Sequence, residues 1–194
     1  MNEEQGRPAT HSSLLVCYEE GEANEIRFLA MRYTEVKNGN PVTFVKFPVE
    51  TGIGGEAAKD TATSGMYQEI AKTPNDFGFR FAQEGPIYQQ ECEGDADKGG
   101  GTHTKCVFLL TGLRGDLRES EMVEEGKRGR SDENLGPPTW HEAAGLLELM
   151  KERGVRFHRT ALMRALAHLA QERGVYNKYR GLLESPHNQE YLVD

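Results

Sequence analysis

Few residue types in this 194-residue chain are arranged for chemistry. The three cysteines, Cys17, Cys92 and Cys106, lack metal-site spacing, and no serine lies in a Gly-x-Ser-x-Gly context. The stretch that remains is residues 47–73, where a glycine-rich loop leads into a helical pattern and glutamates lie on both sides of the loop. Carboxylates are therefore the reactive groups that this stretch offers.

The stretch reads FPVETGIGGEAAKDTATSGMYQEIAKT and resembles the signature of the Nudix hydrolase superfamily. That signature is G-x5-E-x7-R-E-U-x-E-E-x-G-U, with U an aliphatic residue, and it forms a loop, a helix and a loop after a strand. Gly55-Glu56 matches the Gly-Glu pair before the helix, and Glu69-Ile70 matches a Glu-aliphatic step on the helix. The resemblance covers about residues 12–170, because the opening hairpin and the later VFLLTG and TWHEAAGLL segments follow the family's order.

The signature is incomplete in this chain. We count from Glu56 back to the first glycine and allow about four extra residues in the helix. Four signature positions before the closing Gly-aliphatic pair are then altered. They are Glu50 at the first glycine, Gln68 at the arginine, and Lys72 and Thr73 at the decisive glutamate pair. Asn75-Asp76 replaces the closing Gly-aliphatic pair, so Glu69 is the one carboxylate left of the three expected on the helix face.

The resemblance implies a role for each matched position. In such a site a divalent cation neutralises a pyrophosphate so that water can attack it, and magnesium prefers carboxylate oxygens. The catalytic residues would be Glu69 and Glu56, the metal ligands Glu69, Glu56 and Glu50, and the substrate contacts Lys72, Gln68 and Gly55. The cofactor would be Mg²⁺ or Mn²⁺ if the protein is active. Two unit charges 4 Å apart interact by about 4 kcal/mol at an effective dielectric of about 20, so Lys72 opposes ordinary magnesium loading.

Other residues are weaker candidates, each with a simpler interpretation. Substitute acids could come from Glu91, Glu93, Glu124 or Glu125, all of which also read as solvated surface acids. His103 could contact a ligand or have no special role, and His158, Arg159 and Arg156 could contact phosphate or begin an ordinary basic helix. Cys106 is expected in the core. Trp140 is expected to anchor its helix, with base stacking as the alternative.

Strands fill the first half of the predicted fold. Apolar runs and alternation predict strands at residues 13–18, 26–33, 42–47, 78–81 continuing through 86–90, and 104–111. The helix of the signature is predicted from residue 60 or 61 to about 72, because Ala62, Met66 and Ile70 form an apolar stripe. Thr139 and Glu142 match a capping box for a helix to about residue 153, and a second helix is predicted over 159–173.

Composition limits the possible partners. The net charge is −8, but residues 151–194 carry 8 basic and 5 acidic groups, which leaves 15 basic and 26 acidic groups in residues 1–150. An acidic body argues against general nucleic-acid binding. No apolar run approaches the roughly 20 residues that span a bilayer, and the N-terminus lacks an apolar signal region. A cytoplasmic, reduced setting is the expectation.

The predicted fold is a Nudix-like α/β/α sandwich with a mixed, partly antiparallel sheet. Residues 1–11 are predicted as a flexible arm, 12–174 as the Nudix-like domain with a charged loop at 115–138, and 175–194 as a tail. The predicted function is that of a Nudix-family protein that resembles pyrophosphohydrolases acting on nucleoside diphosphate derivatives. Its metal site is expected to be depleted and its hydrolysis weak or absent. The alternatives are an active enzyme with substitute carboxylates and a non-catalytic module that binds a nucleotide, RNA or protein. A homodimer is left open.

Overall fold

The computed structural model describes residues 9–37, 40–53, 55–93, 102–119, 121–122, 134–153 and 155–193. The strands in this part of the chain are β1 (Ala9–Glu20), β2 (Ile26–Lys37), β3 (Asn40–Lys46), β4 (Val49–Ile53), β5 (Gly78–Phe81), β6 (Tyr88–Glu93), β7 (Thr102–Arg114), β8 (Glu121–Met122), β9 (Asn134–Leu135) and β10 (Thr139–Glu142). The helices are α1 (Ala58–Gly65), which continues as a π-helical turn (Met66–Ile70), α2 (Ala143–Arg153), α3 (Arg156–Glu172), α4 (Tyr176–Leu183) and α5 (Pro186–Gln189).

Strand β1 is the centre of a mixed sheet. It pairs with β2 and β4 in the antiparallel sense and with β7 in the parallel sense, over His11–Cys17 against Thr104–Leu110. The far edge of β7 pairs with β5 and β6, whereas β2 pairs with β3, β9 and β10. The predicted mixed, partly antiparallel sheet is confirmed.

The two faces of the sheet carry separate cores because side chains alternate along each strand. On β1, Leu15 and Cys17 face the cluster that contains the α1 helix, whereas Leu14, Val16 and Tyr18 face the cluster that contains α2 and α3. Fully burying one such leucine contributes roughly 1.5–3 kcal/mol. The sandwich of helices on both sides of a sheet is therefore confirmed.

The predicted boundaries differ from the observed ones at both ends of the domain. Strand β1 begins at Ala9 and His11 is buried, so the arm cannot extend to residue 11. Residues 176–189 form α4 and α5, and Leu183 and Tyr191 are buried in the core. The assignment of 175–194 to a separate tail was wrong because those short helices cover apolar surface of α3 and the sheet.

The interpretation of Thr139 as a helix cap was also wrong. Thr139–Glu142 forms strand β10, which pairs with Ala30–Arg27 of β2, and α2 begins only at Ala143. The Thr139 hydroxyl contacts His141 Nε2 at 2.8 Å rather than a helix N–H. Within the described residues no helix is long and apolar enough to cross a bilayer.

Candidate functional site

Strand β4 and helix α1 form the loop and helix predicted over residues 47–73. Gly55, in the loop between them, is exposed and has a positive φ of 93°, which suits glycine. Gly65 and Met66 both have αR dihedrals, so α1 runs on without a break into the π-helical turn that ends at Ile70. Glu56 is half-buried just before the helix.

Glu50 packs directly on the helix at Gly65. A β-carbon placed on Gly65 would lie 2.7 Å from Glu50 Cβ and 3.0 Å from Leu15 Cδ1, closer than side chains approach each other. The Thr51 N–H donates to Glu50 Oε1 at 3.0 Å. Glycine at position 65 is therefore what allows strand β4 to hold a glutamate against this face of the helix.

Glu69 lies one helical turn after Gly65. Residues four apart share a helix face, so the side chain of Glu69 is on the side of α1 that Glu50 covers. Glu69 is only 3% exposed, whereas the neighbouring Gln68 is exposed to solvent. The site thus brings Glu50 and Glu69 to the same side of the helix and leaves Gln68 outside it.

Lys72 lies beyond the helix and was wrongly expected on its face. The helix ends at Ile70, and the Lys72 ammonium donates to Glu119 at 2.7 Å in an exposed ion pair. The hydrogen bond to Glu119 raises the pKa of Lys72, and the same bond lowers the pKa of Glu119. Thr73 is likewise exposed and outside the helix.

Backbone hydrogen bonds attach the start of the charged loop to the end of this helix. The Lys72 N–H donates to the Asp116 carbonyl at 3.0 Å, and the Arg118 N–H donates to the Ile70 carbonyl at 2.8 Å. Ala71 and Leu117 form an isolated bridge between these two bonds. The predicted loop at 115–138 therefore begins beside Glu69.

No protein-family model and no curated protein matches this chain, but solved structures do. A possible asymmetric diadenosine tetraphosphate (Ap4A) hydrolase from Jonesia denitrificans superposes with a TM-score of 0.53 and 13% identity, over 83% of this chain and 94% of that one. A Nudix hydrolase from Nitrosomonas europaea gives a TM-score of 0.52 and 9% identity over 82% and 90%. This protein has the Nudix fold. The Nudix domain of Shewanella oneidensis NrtR, solved with ADP ribose, gives 0.51 and 10% over 87% and 94%.

The end of the helix at Ile70 favours a different alignment of the signature with this chain. The four extra residues inferred from the sequence would carry the signature beyond Ile70, where the helix has ended. Counted from Glu56 without an insertion, the glutamate pair falls on Gln68 and Glu69, and the closing pair falls on Ala71-Lys72, directly after the helix. The aliphatic position then falls on Met66, which is fully buried.

In this register the charged positions of the signature are mostly neutral. Its Arg-Glu pair falls on Ser64 and Gly65, and its Glu-Glu pair on Gln68 and Glu69. In this register Glu50 stands at the first glycine and Gly65 at the first helical glutamate, and a β-carbon on Gly65 would meet Glu50 Cβ. The sequence could have indicated this register, because Met66 fits the aliphatic position only when no residues are inserted.

The described residues do not fit the metal cluster of a fully acidic Nudix helix. No three His, Cys, Asp or Glu side chains in this part of the chain converge as such a cluster requires. Glu91 and Glu93 lie on β6, on the side of β7 away from β1. Glu124 and Glu125 lie outside the described residues. Of the acids that the sequence analysis proposed as ligands, Glu50 and Glu69 lie on the helix face and Glu56 lies just before the helix.

Lys46 is a cation near this helix that the sequence analysis did not single out. Its ammonium lies 3.7 Å from the centre of the Tyr33 ring, and Tyr33 packs against the cluster that holds Ile70 and Ala71. Lys46 pairs in register with the buried Met31, so it is on the sheet face that α1 covers. The alternation of residues 42–47 could have indicated this orientation.

His158 and the basic start of α3 take part in structural contacts. The Phe47 N–H donates to Nδ1 of the buried His158 at 3.1 Å, and burial, with Lys46 and Lys105 nearby, lowers the pKa of His158 to about 3. Arg159 donates to the Met150 carbonyl at 3.0 Å, and Arg156 pairs with Glu190 at 3.2 Å. These contacts do not support the phosphate-binding interpretation of the three residues.

Three further candidates also take part in structural contacts. His103 Nε2 lies 2.8 Å from the Ser12 hydroxyl across the β1–β7 pair. Cys106 is buried in the core as predicted, and burial raises the pKa of its thiol. A neutral buried thiol is a poor nucleophile. Trp140 packs against the α1-side cluster from β10 rather than from a helix.

Proposed function

We propose that this protein binds a nucleoside diphosphate derivative beside helix α1 and hydrolyses it weakly or not at all. The observation that carries the proposal is the composition of the helix face: Ser64, Gly65 and Gln68 stand at three charged signature positions, and Glu69 alone keeps its carboxylate. Efficient cleavage of a pyrophosphate requires cations that neutralise its charge. A helix face with Glu69 as its one signature carboxylate is expected to bind such cations weakly.

The fold supports the ligand class of the proposal. The NrtR Nudix domain among the similar structures was solved with ADP ribose, and the Jonesia protein is described as acting on diadenosine tetraphosphate. In both ligands a chain of phosphates joins an adenosine to a second group that contains ribose. In this chain, Lys46 and the Tyr33 ring offer a cation and an aromatic surface on the sheet face covered by α1, which suits a phosphate and a base.

Glu50 favours one alternative, an active enzyme that uses Mg²⁺ or Mn²⁺ with substitute carboxylates. It restores a carboxylate to the helix face at the place where the helix has Gly65. Magnesium is often held by one or two carboxylates together with substrate phosphates. Under this alternative Glu50, Glu56 and Glu69 would hold the ion, which would act as a Lewis acid on the phosphate.

Calorimetry and a turnover assay separate the two functions. ADP ribose and a nonhydrolysable dinucleotide tetraphosphate are titrated into the protein without metal, with Mg²⁺ and with Mn²⁺. Turnover of ADP ribose and Ap4A is followed with alkaline phosphatase and malachite green. We expect saturable binding and almost no turnover. Rates on the order of 1–10 per second, ordinary for enzymes, would establish the active alternative and overturn the proposal.

A matched pair of variants links the binding to the helix face. Glu69→Gln is expected to change ligand affinity more than the melting temperature, whereas Gln68→Glu, at an exposed position, should leave stability unchanged. If Glu69→Gln lowers the melting temperature and leaves affinity as it was, Glu69 is a structural residue and the proposed location is wrong.

A further inference from the structure

A cavity lies beside the turn of the β1–β2 hairpin, at the end of β2 that is far from strand β3. Its volume is about 770 Å³, within the roughly 300–1,000 Å³ range of small-molecule sites. It is walled by the β1–β2 turn, by the start of β2, by β10 and by the first turns of α2. None of the residues proposed for the nucleotide site lines it.

Three carboxylates face this cavity without a salt-bridge partner among the described residues. They belong to Glu22 and Glu25 in the turn and to Glu142 at the end of β10. Arg27, the one basic side chain in the wall, donates to Glu19 at 2.8 Å and is already paired. The lining residues therefore carry more negative than positive charge, three carboxylates against the one guanidinium of Arg27, which pairs in register with Glu142.

An aromatic side chain and a neutral histidine complete the wall. Trp140 is half-buried, packs against the α1-side core and contributes to the cavity surface. Burial, together with the charges of Arg32 and Arg27, lowers the pKa of His141, so this ring stays uncharged at neutral pH. The cavity thus combines an indole surface with carboxylates and lacks a free positive charge among its lining residues.

The turn that carries two of the carboxylates is held in place by α4. The Ile26 N–H donates to the Tyr179 hydroxyl at 2.7 Å, and Lys178 donates to the Ala23 carbonyl at 3.1 Å. Burial raises the pKa of Tyr179, and the charges of Glu25 and Glu142 also raise it. The two hydrogen bonds to α4 fix the turn that carries Glu22 and Glu25.

We propose that this cavity binds an organic cation, namely an ammonium or guanidinium group carried on an apolar body. A cation above an indole face is attracted by the ring, and carboxylates at the rim add charge complementarity. The same chemistry is found in a free amine and in an arginine or lysine side chain of a peptide. The inference is independent of the nucleotide site, because it involves other residues and the opposite ligand charge.

The protein contains a single tryptophan, Trp140, so the tryptophan emission reports on this wall of the cavity and on the α1-side cluster that the ring also contacts. Butylguanidine, its neutral isostere butylurea, and a blocked Gly-Arg-Gly peptide are titrated while Trp140 emission is recorded. We expect a saturable change with butylguanidine at a dissociation constant on the order of 1 mM, and none with butylurea. Tighter binding of the peptide indicates a protein partner, and tighter binding of butylguanidine indicates a small-molecule ligand.

Charge variants test whether the effect is local. Glu142→Gln is expected to weaken butylguanidine binding about fivefold, whereas Glu84→Gln, an exposed acid outside the cavity, should leave it unchanged. The proposal is overturned if butylurea binds equally well, if both variants weaken binding to the same extent, or if no probe changes the emission at tens of millimolar. Equal weakening would mean that only the net charge of the protein attracts the cation.

Discussion

Gly65 is the residue at which strand β4 and helix α1 come closest. The side chain of Glu50 occupies the space that any larger residue at position 65 would need. The two positions are therefore coupled, because a glutamate at position 65 requires a smaller residue at position 50. The sequence pattern alone treats them as two separate departures.

This coupling predicts the outcome of restoring the signature. Gly65→Glu should lower the free energy of unfolding by about 1–3 kcal/mol, because the new side chain overpacks against Glu50 and Leu15. Adding Glu50→Gly should recover much of the loss. Urea unfolding of both single variants and the double variant gives the interaction energy. Additive losses would show that the two residues are not in competition for the same space.

The buried His158 predicts a pH dependence of stability. Its pKa is about 3 in the folded protein and near the ordinary 6.5 when unfolded, so between these values the unfolded chain binds the proton and the folded chain does not. Stability contributed by the neutral ring is present above pH 6.5 and is lost as the pH falls, at up to about 1.4 kcal/mol per pH unit.

Unfolding of the wild-type protein and of His158→Gln is measured from pH 7 to pH 5. The wild-type free energy of unfolding should fall more steeply than that of the variant, which lacks this titration. Parallel curves would mean that the folded protein accepts a proton on His158 near its ordinary pKa.

At the scale of elements, the end of β7 fixes the segment beside the candidate site. Gly115 has a φ of 87°, and a β-carbon there would lie 2.5 Å from the Asp76 carbonyl oxygen. This close approach directs the chain back past the end of the α1 helix, where residues 116–118 bond to residues 70–72. Only glycine combines that dihedral with that contact.

Gly115→Ala is expected to lower the free energy of unfolding by at least about 1–2 kcal/mol through backbone strain and the clash. Gly181→Ala is the matched control, because Gly181 lies in α4 with open space around it. There the substitution should stabilise the protein by up to about 1 kcal/mol. Thermal melts of both variants check the signs, and a neutral Gly115→Ala would contradict the proposed constraint.

The sequence was sufficient where a local pattern agreed with the final packing. The alternation at residues 26–33 and the stripe of Ala62, Met66 and Ile70 predicted faces that are buried as expected. Thr139 shows the opposite case: its spacing to Glu142 suits a helix cap, but pairing with β2, more than 100 residues earlier in the chain, makes it a strand. The contact of Glu50 with Gly65 is equally non-local, so no count along the chain could establish it.

At the scale of the whole molecule, the C-terminal helices complete the domain rather than follow it. Leu183 is fully buried, Tyr191 is 5% exposed, and both pack in the cluster formed by α2, α3 and the sheet. Sequence reasoning missed this because α4 and α5 are only 8 and 4 residues long, too short for periodicity alone to predict a helix. Their stability comes from the surface they cover.

Truncating Leu183 to alanine should therefore lower the free energy of unfolding by about 2–5 kcal/mol, as for other buried leucines. Val193→Ala, at a position 64% exposed, should change it by less than about 0.5 kcal/mol. Chemical denaturation of both variants provides the comparison. If Leu183→Ala changes the free energy of unfolding as little as Val193→Ala does, the C-terminal helices contribute little to stability and residues 175–194 are better described as a tail.

The parallel pairing of β1 with β7 has a consequence for synthesis of the chain. His11 and Thr104 are partners 93 residues apart (104 − 11), so the ribosome must synthesise the whole intervening segment before β1 can pair with β7. Until then the backbone N–H and C=O groups on one edge of β1, a strand rich in leucine and valine, are unpaired and can pair with a strand of another molecule. Newly made protein is therefore most vulnerable to aggregation at its first strand, and interactions across such a separation form slowly.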